Sequence, residues 1–104
     1  MSNTSSASIL FILRLKLLPR IQTQDLLERI ANGDFDVIKL SGSQAGVFYM
    51  LLEDTDGSFI HENQDGSLKE YPHADYALNW LKRKTGLKQV VVNIELWRTD
   101  KQVE

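Results

Sequence analysis

The chain has 104 residues with 42% hydrophobic and 25% charged residues, a balance that describes one soluble globular domain with a single core. It has no cysteine, which excludes disulfides, thiolate catalysis and any cysteine-ligated zinc or iron–sulfur centre, and fits a reducing, cytoplasmic setting. Twelve Lys and Arg against 14 Asp and Glu give a net charge of −2, which excludes a broad phosphate-binding surface but leaves room for a local basic patch.

Residues 1–8 (MSNTSSAS) are small and polar and read as a disordered lead-in, followed by one domain over residues 9–98 and a flexible tail over 99–104. The apolar run Ile9–Leu13 is too short for a membrane span, and no basic residue precedes it as in a signal peptide. Ile9, Phe11, Leu13, Leu15 and Leu17 share one parity and Arg14 and Lys16 the other, the period of a strand with one apolar face; a short helix is the competing reading, and Pro19 ends either. Thr23 to Gly33 has Thr23 as N-cap, Asp25 in the first turn, and Leu26, Leu27, Ile30 and Ala31 as an apolar stripe, so a helix is expected there. Strands are expected over Phe35–Leu40 and Gly46–Glu53, the second apolar on both parities and therefore central. Asp54–Gly57 is a hairpin turn into a strand Ser58–Glu62, and Asp65-Gly66 repeats the turn signal.

A second helix begins after Pro72, with His73 as N-cap and Ala74, Ala77, Leu78 and Leu81 on one face. Lys82, Arg83 and Lys84 complement the dipole in its last turn, and Gly86 ends it. A last strand is expected over Gln89–Trp97, with Val90, Val92, Ile94 and Leu96 on one face. The order predicts an α+β fold, a mostly antiparallel sheet of four or five strands with two helices on one face; a ferredoxin-like split β-α-β is the simplest topology with this order.

No motif assigns chemistry. There is no GxSxG, GxGxxG or P-loop, and no HExxH, so neither cofactor nor metal is implied; His61 and His73 read as turn or capping residues. Asp54–Ser58 has its glycine two residues too early for a calcium loop. The candidate surface lies on the second helix. Tyr76 and Trp80 project away from its core stripe, and with Lys82, Arg83, Lys84 and Lys88 they could stack on bases and hold phosphates, or form a protein-binding hot spot. The bland reading is that the rings cover the sheet and the cations only complete the helix end.

The run DTDGSFIHENQDGSLKEYPHADYALNWLKRKTG, within Gly46–Gly86, resembles the strand–turn–strand–helix plan of the arm-type DNA-binding domains of phage-type integrases, and of small plasmid and integrative-element proteins. Arm-type domains read DNA with a basic sheet, whereas these strands carry Glu53, Asp54, Asp56, Glu62, Asp65 and Glu70 against Lys69. What the resemblance transfers is therefore backbone contact through Lys82, Arg83, Lys84 and Lys88. The expected function is that of a small non-enzymatic accessory protein acting by protein–protein interaction or self-association, as a homodimer through apolar edge strands. The alternatives are a nucleic-acid-binding module built on the Tyr76/Trp80 surface and an enzyme without a recognisable motif.

Overall fold

The computed structural model describes residues 3–97. Met1 and Ser2 of the expected lead-in, and the tail expected over 99–104, lie outside them. In chain order the elements are α1 (Asn3–Leu17), β1 (Arg20–Gln22), α2 (Thr23–Ala31), β2 (Val37–Gly42), β3 (Phe48–Asp54), β4 (Gly57–Glu62), α3 (Ala74–Thr85) and β5 (Val91–Asn93). The fold is α+β, as the element order predicts, and the sheet is mixed. Its strands run β1-β4-β3-β2-β5. An antiparallel meander, β2-β3-β4, is flanked by two short parallel strands, β1 beside β4 and β5 beside β2. This differs from a ferredoxin-like order: α2 carries the chain from β1 across to β2, and α3 carries it from β4 across to β5, so each edge strand reaches its place by one helical crossover.

β3 is the middle strand, and its double apolar parity has the expected cause. Phe48, Met50 and Leu52 enter the larger core with Leu26 and Ile30 of α2 and Ala77 and Leu81 of α3. Tyr49 and Leu51 face the other way and join Ile60 and Leu15 in a second, smaller core. Both faces of the sheet are thus covered, α2 and α3 on one side and α1 on the other.

The N-terminal segment expected as a strand is a helix, and it begins at Asn3, inside the expected lead-in. Phe11, Ile12, Leu15 and Leu18 pack on the second core at helical spacing. A helix satisfies its own backbone while laying that row on the sheet, whereas a strand would need a free edge to pair with. Pro19 follows the helix, and its carbonyl accepts the Ile60 amide at 2.9 Å, which starts β1. At the other end, the expected strand Gln89–Trp97 is regular only over Val91–Asn93. The Asn93 side-chain oxygen accepts the Glu95 amide at 2.9 Å, turning the chain and leaving Ile94 exposed. Trp97 then folds back onto the larger core, stacked on Phe48 at 5.7 Å between centroids. Gly42 makes that return possible: a Cβ there would lie 2.5 Å from the Trp97 Cβ.

The two helices on the larger core follow their sequence signals closely. α3 is preceded by His73 and ended by Gly86 at φ 74°. In α2 the N-cap is the extended Gln22, not Thr23; Thr23 is the first helical residue, and its hydroxyl bonds His61 at 2.8 Å. The Asp54 carboxylate accepts the amides of Asp56 and Gly57 and so shapes the β3–β4 hairpin; these bonds, with Arg29 at 3.0 Å, hold its pKa below the usual value. Asp65 does the same for Ser67 in the second turn.

Candidate functional site

The expected surface on α3 divides in two. Ala77 and Leu81 form the buried stripe, with Ala74 and Leu78 packed beside it. Tyr76 is exposed at 59%, and Lys82, Arg83, Lys84 and Lys88 are all exposed. No ion pair involves these four cations among the described residues. Trp80, by contrast, is half-buried against the larger core. Three residues beyond Ala77 and one before Leu81, it flanks the stripe closely enough for its ring to reach inward, where it stacks on His61 with centroids 6.0 Å apart. Tyr76 and Trp80 therefore do not form a paired stacking platform.

His61 is the partner that sequence reasoning misplaced. It is a strand residue, 1% exposed, and neither a turn nor a capping residue. One ring nitrogen is 2.8 Å from the Tyr71 hydroxyl and the other 2.8 Å from the Thr23 hydroxyl. A neutral imidazole donates through one nitrogen and accepts through the other, so two hydroxyls satisfy it completely. Burial, helped by the Lys69 charge, pushes its pKa down to about 4, and burial also raises that of Tyr71. A sealed neutral imidazole joins β4, α2 and the segment before α3; it is not presented to solvent as a general base. The signal in the sequence was parity, since His61 shares the face of Phe59, an inward position of β4. His73 sits at the start of α3 without a side-chain capping bond. Among the described residues no group of three or more His, Cys, Asp or Glu side chains is placed to hold a metal ion.

A second surface is formed by the two apolar segments that the sequence offers for self-association, Ile9–Leu17 and the final strand, the first of them a helix rather than a strand. Beside the exposed Arg14 and Lys16, α1 also presents apolar residues that do not face the sheet: Ile9, Leu10, Leu13 and Leu17 are exposed at 60, 57, 51 and 84%. At the far edge of the sheet Val91, Val92 and Ile94 are exposed as well. Of the eight large exposed hydrophobic residues described, all but Tyr76 thus lie on α1 or on β5 and the residue after it. These two elements border one cavity of about 410 Å³, lined by Leu10 and Arg14 on one side and Asn93 and Leu96 on the other. No helix among the described residues is long and apolar enough to cross a membrane. Comparison with protein-family models, with curated proteins and with solved structures finds no match to this chain.

Proposed function

We propose that this chain is a small non-enzymatic accessory protein that acts by association, with a second copy of itself or with another protein, through α1 and the β5 edge. The observation that carries the reading is the concentration of exposed apolar side chains on these two elements. Seven of the eight large exposed hydrophobic residues described lie there, and exposed apolar surface concentrated in this way marks interaction sites. Among the described residues the outer edge of β5, only three residues long, pairs with no further strand. Light scattering on the eluting chain tests this: wild type is expected at about twice the 11.9 kDa chain mass, and Leu13→Glu, Leu17→Glu at the monomer mass. A wild-type monomer would leave only a different protein as partner, and an unchanged dimer in the variant would remove α1 from the interface.

A second reading, nucleic-acid binding, is supported by the four cations on and just after α3 that no described acidic group neutralises. With both sheet faces covered, contact would run through Lys82, Arg83, Lys84 and Lys88 to phosphates, with Tyr76 beside them. Anisotropy titrations of labelled single- and double-stranded oligonucleotides at two salt concentrations decide it. Four phosphate contacts imply an affinity falling about 150-fold between 50 and 200 mM salt, from a slope near −0.9 per contact. No binding at the lower salt ends this reading.

A further inference from the structure

We propose that the cavity between α1 and β5 is a binding site for a small apolar molecule ending in a carboxylate. The cavity, about 410 Å³, falls within the size range of small-molecule sites and has room for on the order of ten to fifteen non-hydrogen atoms at protein packing density. Its walls divide by chemistry. Leu10, Phe11 and Leu96 supply apolar surface, and three residues that carry side-chain hydrogen-bond donors line the same space.

The first donor is the Ser41 hydroxyl on β2, in a residue only 6% exposed, and it has no hydrogen-bond partner among the described residues. A buried hydroxyl without a partner is uncommon, because burial removes its water and nothing replaces it. The nearby Ser43 makes the contrast, since its hydroxyl donates to the Val47 carbonyl at 2.9 Å. The second donor is the Asn93 amide. Its oxygen is committed to the Glu95 backbone amide at 2.9 Å, which fixes the group and leaves its NH₂ unspent. The third is the Arg14 guanidinium, which forms no ion pair among the described residues although Glu95 lines the same cavity. A guanidinium, an NH₂ and a hydroxyl beside an apolar wall match a carboxylate attached to a hydrocarbon body. Glu95 opposes an anion, so it weakens binding of this class and would favour an amine.

The test is a ¹⁵N–¹H NMR titration of the full chain with 4-phenylbutyrate, 4-phenylbutan-1-ol and 4-phenylbutylamine, three probes alike except at the head. The carboxylate is expected to saturate with Kd below about 1 mM, consistent with a probe of this size. Its shifts should centre on Ser41, Gly42 and Asn93, with the alcohol and amine at least tenfold weaker. Arg14→Gln, on an exposed position that pairs with nothing described, should weaken the carboxylate at least tenfold while the spectrum stays folded. Ser41→Ala should weaken it severalfold, and Glu95→Gln should tighten it. The proposal is overturned by equal binding of the three probes, by shifts spread over Ile9, Leu13 and Leu17 without saturation, or by no shifts at all. Weaker carboxylate binding in Glu95→Gln would overturn it too, because it would make Glu95 the recognition group.

Discussion

Acidification should destabilise this protein through one histidine. His61 titrates near 6.5 in the unfolded chain and near 4 when folded, so between those values the unfolded state holds a proton that the folded state does not. Stability is therefore greatest above pH 6.5 and is lost as pH falls through that window. The full shift corresponds to about 3 kcal/mol, and about 2 kcal/mol is already lost at pH 5, a large fraction of the 5–15 kcal/mol of a typical domain. His61 is 1% exposed, so solvent screening reduces this little. The Asp54 and Asp65 carboxylates are both held below their usual range by hydrogen bonds, so they titrate beneath the window. Urea unfolding at pH 7 and pH 5 reads the effect: with a slope of about 1–1.5 kcal/mol/M the midpoint should fall by roughly 1.3–2 M. In His61→Gln, which keeps a donor and an acceptor for the two hydroxyls but cannot ionise, the pH dependence should flatten. A wild-type midpoint that does not move, or a variant that keeps the wild-type slope, would refute the reasoning.

Other perturbations test other parts of the fold. Gly42→Ala puts a methyl group against the Trp97 Cβ and should cost about 1–3 kcal/mol, with altered Trp97 fluorescence as the indole is displaced from Phe48. Gly86→Ala meets open space, so only the left-handed backbone at φ 74° is strained; about 1 kcal/mol lower stability is expected by thermal melting. Leu52→Ala, at a fully buried site on the middle strand, should cost about 2–5 kcal/mol in urea unfolding. Leu17→Glu, 84% exposed, should leave monomer stability within about 0.5 kcal/mol while changing the mass in solution.

What the sequence by itself determined is local. The Asp54–Gly57 hairpin, the apolar stripe and glycine stop of α3, and the double-faced character of β3 all follow from signals within a few residues. Each depends on backbone conformations or periodicities that neighbouring side chains impose. Only the tertiary structure decided the rest. Ile9–Leu18 carries apolar residues that suit either a strand or a helix, and the choice depended on the sheet face that α1 covers. Trp80 and His61 lie 19 residues apart on different elements, so nothing local announces that one ring stacks on the other or that Thr23 and Tyr71 complete the network. The candidate sites share this origin. The cations of α3 form one legible run, whereas the cavity draws Arg14, Ser41 and Asn93 from three distant segments that meet only because two helical crossovers place β5 beside β2 and α1 lies on the opposite face.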